Sequence, residues 1–198
     1  MSSESTKPFN IYLTGVGGQG IGLLSEMILR AADRAGHSVK GVDTHGLAQR
    51  GGIVVSQIRM GENVYTPLIP EHQADLVVAL ERHEALRAVV QFAKTGGFVV
   101  FYNTVWQPLS VRLGEAPEVS GADIEAQCRK SRVGLKEVFD SQLEDVHMQN
   151  VVVLAHIAEG ALIPGVFKQH YLQAMEDLMA GNMLAKNKAL FEKTCNSP

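Results

Sequence analysis

The stretch Gly15-Val16-Gly17-Gly18-Gln19-Gly20 constrains this chain more than any other. It follows a short β-rich run, residues 9–14 (FNIYLT), and leads into residues 20–35, where Ile21, Leu24, Ile28, Ala31 and Ala35 recur at helical spacing. Gly15, Gly17 and Gly20 satisfy the pattern G-x-G-x-x-G. Glycines in that pattern permit a tight turn, let backbone N–H groups approach a ligand, and open a helix whose N-terminus favours an anion. Gly36 ends the helix in the manner of a C-terminal glycine, and residues 38–42 read as a second strand. Strand, glycine turn, helix and strand in that order predict the beginning of a parallel α/β sheet.

The rest of the chain continues in the same style. Residues 43–52 (DTHGLAQRGG) predict a polar connection, and residues 53–60 (IVVSQIRM) a strand. Gly61-Glu62-Asn63 is a turn signal into Val64-Tyr65, so these runs are expected to pair as a hairpin that adds an antiparallel strand. Residues 74–80 (ADLVVAL) and 98–102 read as strands buried on both faces, with a helix over 81–94 and Gly96-Gly97 as the break between them. Residues 107–121 form an irregular excursion rich in Pro and Gly, residues 122–128 a helix, and 134–139 an ambiguous stretch. Residues 150–159 (NVVVLAHIAE) suit a strand by propensity, but their length with 160–162 favours a buried helix. Terminal helices are expected over 168–180 and 182–193. The expected architecture is three-layer α/β/α, with a mostly parallel Rossmann-like sheet, an antiparallel addition and C-terminal helices. It makes one domain over 9–198 after a flexible N-terminus, 1–8.

Bulk properties exclude several functions. With 198 residues, 45% hydrophobic and 20% charged, the chain can bury a real core. A net charge of -3 without a Lys/Arg cluster argues against nucleic acid or an anionic membrane as partner. The polar N-terminus lacks a signal-peptide run, and apolar runs such as 151–155 are too short to span a bilayer, so a cytoplasmic location is expected. Cys128 and Cys195 form no CxxC pair and cannot supply the four thiolates of an iron–sulfur cluster. They read as ordinary thiols in a reducing compartment.

On pattern alone the glycine turn could hold a ligand or could merely pack helix against strand. Asp43 lies at the end of the second strand, about where a dinucleotide site places its ribose-binding acid, so a stand-alone NAD- or FAD-binding protein is one reading. Gln19, in place of a small or apolar residue, and a second glycine pair argue against it. That pair ends His45-Gly46-Leu47-Ala48-Gln49-Arg50-Gly51-Gly52, at the carboxyl sheet edge where ligand sites open. Arg50 can grip a carboxylate or phosphate bidentately, Gln49 can hydrogen-bond, and His45 can titrate or donate. Taken singly, Gly51-Gly52 could be a β-turn and Arg50 a surface ion pair; facing a glycine turn, the cluster reads as a site. Asn103 is placed at the same edge by its strand. His37, His72, His83, His147, His156 and His170 show no zinc spacing. There is no GxSxG elbow, and Ile21 stands where a P-loop needs Lys. The chain has recognition chemistry without a nucleophile, metal or general-base set. A flavodoxin-like interaction module without ligand is a third reading.

Taken in order, GVGGQG after the first strand and DTHGLAQRGG before IVVSQIRMG resemble the gamma-type subunit of 2-oxoacid:ferredoxin oxidoreductases. The lead-in His45-Gly46-Leu47-Ala48-Gln49 is more similar to the beta subunit of indolepyruvate ferredoxin oxidoreductases than to the Ser-Tyr-Gly-Pro-like lead-in of the pyruvate and 2-oxoglutarate enzymes. The likeness continues through Tyr65-Thr66-Pro67-Leu68-Ile69-Pro70, Ala74-Asp75-Leu76, Glu81, Gly96-Gly97 and Asn103, and more loosely through Asn150 and Pro164. The resemblance implies a heteromeric enzyme that oxidatively decarboxylates arylpyruvates to acyl-CoA and passes electrons to ferredoxin. A large partner subunit would hold thiamine diphosphate and the iron–sulfur clusters, with coenzyme A as co-substrate. This chain, inactive alone, would complete the active site or its CoA access. The residues implied are Gly15, Gly17, Gly18, Gln19, Gly20, His45, Gln49, Arg50, Gly51, Gly52 and Asn103, in binding and shaping roles, none of them the chemical base.

Overall fold

A computed structural model describes residues 7–44, 52–106, 114, 117–143 and 145–196. Strand β1 (Phe9–Val16) runs through the glycine turn into α1 (Ile21–Arg34) and β2 (Val39–Thr44). There follow β3 (Ile53–Met60), β4 (Ala74–Ala79), α2 (Arg82–Gln91), β5 (Ala93–Tyr102), α3 (Gly121–Ser131) and β6 (Gly134–Val138). A single 3-10 turn (Val146–Met148) then leads to α4 (Gln149–Glu159), α5 (Lys168–Leu178) and α6 (Gly181–Cys195). Of the expected flexible N-terminus only residues 7 and 8 are described, and residues 107–113, 115 and 116 of the expected excursion lie outside the described set.

The strands lie in the order β2-β3-β1-β4-β5-β6. Only β3 opposes the rest, pairing antiparallel with β1 and β2 while β1, β4, β5 and β6 are parallel. This corrects the expected hairpin: β3 is the antiparallel addition, but residues 64–65 form no strand. It lies instead between β1 and β2, in register from Phe9↔Met60 to Val16↔Ile53 on one side and from Val39↔Met60 to Thr44↔Val55 on the other. The physical reason is burial: Ser56 and Ile58 are wholly buried and Met60 nearly so, which a peripheral hairpin would not provide. The chain after β3 folds back, and the Ile69 N–H donates to Gln57 Oε1 at 2.6 Å.

Gly96-Gly97 also behaves differently from expectation. It does not break the chain; β5 runs through it and α2 stops at Gln91. A Cβ on Gly97 would lie about 3 Å from the Ala74, Asp75 and Lys94 carbonyls, at a shift in the β4–β5 register. The glycine therefore permits close irregular pairing. The ambiguous stretch is strand β6, and the apolar run after Asn150 is helical, buried throughout from Gln149 to Ala155.

Alternation along the strands builds two cores. Ile11, Leu13, Ile58, Leu76, Val78 and Val100 face α1, α4, α5 and α6, whereas Tyr12, Val77, Ala79, Val99 and Phe101 face α2 and α3. The result is the expected three-layer α/β/α arrangement. Among the described residues no helix is long and apolar enough to cross a membrane.

An internal β3 has an energetic consequence. Ile58→Ala should cost about 2–5 kcal/mol in chemical denaturation, the range for a large-to-small change in a packed core. A cost within about 0.5 kcal/mol, as at an exposed position, would contradict this topology.

Candidate functional site

The parallel strands β1, β4, β5 and β6 end, and β3 begins, at one sheet edge. Because Ile53 pairs with Val16, the residue before it meets the residue after it: Gly17 N–H donates to Gly52 O at 2.8 Å. The two glycine motifs are thus joined through backbone. His45, Gln49, Arg50 and Gly51 lie outside the described residues, while β2, which leads to them, ends at Thr44.

Within the first motif each residue has a distinct task. Gly18 (φ +102°) and Gly20 (φ +80°) occupy the left-handed region that favours glycine. A Cβ on Gly15 would come within 2.9 Å of Gln19 Oε1 and Ile21 Cδ1, and one on Gly20 within 2.6 Å of Asn150 Nδ2. Gln19 is wholly buried. Its Oε1 accepts from Val16 N–H and its Nε2 donates to Leu80 O, both at 2.8 Å, which fastens the turn to the end of β4. Its side chain is committed to shape. The N-cap of α1, Gly20, has no side chain to cap the helix, so this end can offer first-turn N–H groups and the positive end of its dipole to an anion.

Two aromatic neighbours complete the surroundings. The benzo edge of half-buried Trp106 lies 3.5 Å from where a Gly18 Cβ would be. Trp106 also meets His147 edge-on at 6.4 Å between centroids. Asp145 Oδ1 accepts from His147 N–H at 2.9 Å and lies 2.7 Å from its Nδ1; these bonds hold the Asp145 carboxyl below the usual carboxylate range. Neither Trp106 nor Asn150 is marked as a site residue by sequence pattern. The available signal was a lone Trp just past a strand that ends at the carboxyl edge.

Beneath the turn, Thr14 Oγ1 donates to Glu84 Oε2 at 2.9 Å, and Arg87 pairs with the same carboxylate. Wholly buried Glu81 caps α2 by accepting from the N–H groups of His83 and Glu84. Burial pushes the Glu84 carboxyl up from its ordinary value, with Arg87 and Thr14 opposing. Asn103 is at the same edge but turned sideways: its Oδ1 accepts from Arg82 Nε and its Nδ2 donates to Glu137 Oε1, each at 2.5 Å.

Asp43 is placed poorly for a ribose. β3 separates its strand from β1 by one extra interstrand step of about 4.8 Å, and its Oδ1 accepts from Ser56 Oγ at 2.5 Å and Ser25 Oγ at 3.2 Å. The dinucleotide reading finds no support. The thiols do not fit a cluster either. Cys128 packs between α3 and one face of the sheet, and Cys195 ends α6 on the other. Burial raises the Cys128 thiol to about 11.

Fold and edge together define an α/β chain with a glycine turn at the carboxyl edge of its sheet and two cysteines on opposite faces. The chain matches the family model of pyruvate ferredoxin/flavodoxin oxidoreductases over residues 10–197 and belongs to that family. It is 37% identical over 187 residues to the indolepyruvate oxidoreductase subunit IorB of Archaeoglobus fulgidus, covering 91% of each chain. Its fold is similar to that of the keto/oxoacid ferredoxin oxidoreductase gamma subunit of Geobacter sulfurreducens, with TM-score 0.64 and 18% identity over 94% of this chain and 96% of that one. The 2-oxoglutarate:ferredoxin oxidoreductase of Magnetococcus marinus, solved with 2-oxoglutarate, coenzyme A and succinyl-CoA bound, superposes with TM-score 0.69 and 21% identity. That match covers 96% of this chain and 30% of the other.

The buried Glu84 gives stability a pH dependence of known sign. An unfolded Glu84 loses its proton in the ordinary glutamate range, the folded one only at higher pH. Between those points the folded state holds the extra proton, so this residue makes stability fall as pH rises and leaves a constant penalty above the window. Denaturation across the acid-to-neutral range should show the wild-type minus Glu84→Gln difference in unfolding free energy becoming more negative with pH and then levelling. A flat or rising difference would contradict the assignment.

Proposed function

We propose that the chain is the small subunit of a cytoplasmic arylpyruvate:ferredoxin oxidoreductase of the indolepyruvate type, inactive alone and completed by a large subunit. The observation that carries this reading is the bond from Gly17 to Gly52, which unites two motifs in a chain 37% identical to an indolepyruvate oxidoreductase subunit. In the overall reaction the carboxylate of the 2-oxoacid leaves as carbon dioxide and two electrons pass to ferredoxin. The remaining acyl carbon joins the sulfur of coenzyme A, whose thiol proton is released. Thiamine diphosphate, held by the large subunit, supplies the carbanion-stabilising centre.

The part assigned to this chain is recognition. Gly15, Gly17, Gly18 and Gly20 form the turn over Gln19, and the N-terminus of α1 receives an anionic group, for which the phosphates of coenzyme A are suited. Arg50, with Gly51 and Gly52, adds a bidentate grip, His45 and Gln49 add hydrogen bonds, and Asn103 braces the edge. A diphosphate with its divalent cation does not fit the described carboxylates beneath the turn, since Glu81 is committed to the α2 N–H groups and Glu84 to Thr14 and Arg87. Likewise Cys128 and Cys195 are on opposite faces. Both observations agree with the family resemblance, which implies that the partner holds thiamine diphosphate and the clusters.

Reconstitution tests this. The purified chain should show no turnover, and its complex with the large subunit should reduce ferredoxin with indolepyruvate in a CoA-dependent way. Failure to form that complex, or equal turnover by the large subunit alone, would overturn the proposal.

A further inference from the structure

Asn150 stands where two helix N-termini meet. It is the second residue of α4, it is 2% exposed, and the N-cap residue Met148 makes no side-chain cap to that helix. Its Oδ1 accepts from Val151 N–H at 2.8 Å, and its Nδ2 donates to Gly20 O at 3.3 Å. Gly20 is the N-cap of α1, held in the left-handed conformation, and its carbonyl also accepts the first helical bond, from Leu24 N–H at 3.0 Å. One amide group thus satisfies an N–H of α4 and braces the carbonyl that starts α1. The contact is close: a Cβ on Gly20 would be 2.6 Å from Nδ2. In the same turn, Trp106 lies against Gly18.

We propose that Asn150 is a positioning residue for the anionic part of the co-substrate. It acts through Gly20, fixing the α1 N-cap so that the first-turn N–H groups keep the geometry an anion requires. This rests on the reading above that the glycine turn meets coenzyme A. A purely structural Asn150 would affect folding alone; a positioning Asn150 affects CoA affinity in a folded complex.

Asn150→Asp separates the two. The carboxylate keeps an acceptor for Val151 N–H and is compatible with a helix N-terminus, so the fold is retained. It loses the donor to Gly20 O and sets a negative charge beside the turn. In the reconstituted complex, KM for CoA should rise roughly tenfold or more, about 1.4 kcal/mol per tenfold step, while kcat stays near wild type and the melting temperature falls without loss of the folded complex. Trp106 is the only tryptophan, so its emission reports the turn directly and should shift in the variant without ligand. Asn150→Ala, which loses both bonds, should raise KM and also lower the melting temperature. An unchanged KM for CoA with unchanged Trp106 emission in Asn150→Asp overturns the proposal, as does a loss of stability with no KM effect in either variant. A wild-type complex whose rate does not depend on CoA overturns the reading of the turn, and this proposal with it.

Discussion

The structure depends on the insertion of β3 between β1 and β2. Antiparallel pairing makes β3 start where β1 ends, so the register that sets Ile53 opposite Val16 also sets Gly52 against Gly17. One strand direction therefore joins two glycine motifs that are separated by a helix, a strand and a connection. The same insertion moves β2 outward, leaving Asp43 bonded to Ser25 and Ser56. A pairing that local sequence does not reveal thus takes Asp43 away from the place a dinucleotide's ribose would need.

What was legible in the sequence was local. Helical spacing from Ile21 to Ala35 and the glycines around it specify the β1-turn-α1-β2 unit, because each depends on near neighbours. Strand order was not legible, since pairing is non-local. Gly61-Glu62-Asn63 resembles a hairpin turn, whereas β3 pairs with β1 and β2 and buries Ile58 and Met60. Gly96-Gly97 misled for a related reason: a glycine that admits three nearby carbonyls looks, in sequence, like one that ends an element. The site shows the same division. The glycines carry their own signal, whereas the inward turn of Gln19, the brace from Asn150 and the approach of Trp106 come from residues distant in sequence.

The turn is held by bonds within the chain. Gln19 holds it from within, Asn150 from below, Gly52 from the side, and Trp106 lies over Gly18. Removing Gln19's amide would leave Val16 N–H and Leu80 O without these partners, at about 1–3 kcal/mol for each buried group left unsatisfied. If the turn meets coenzyme A as proposed, these bonds would spare the ligand part of the cost of ordering it. Under the proposed division of labour, this chain contributes fixed N–H groups and the partner contributes electron transfer.

The central claim is that this glycine turn is half of a site whose other half lies in the large subunit. Amide hydrogen exchange over residues 15–24, in the isolated chain and in the complex with and without CoA, tests it most directly. Exchange of these amides should slow on complex formation and slow again with CoA. Unchanged exchange at the turn, with protection confined to the exposed segment around Tyr65 and Leu68, would contradict it.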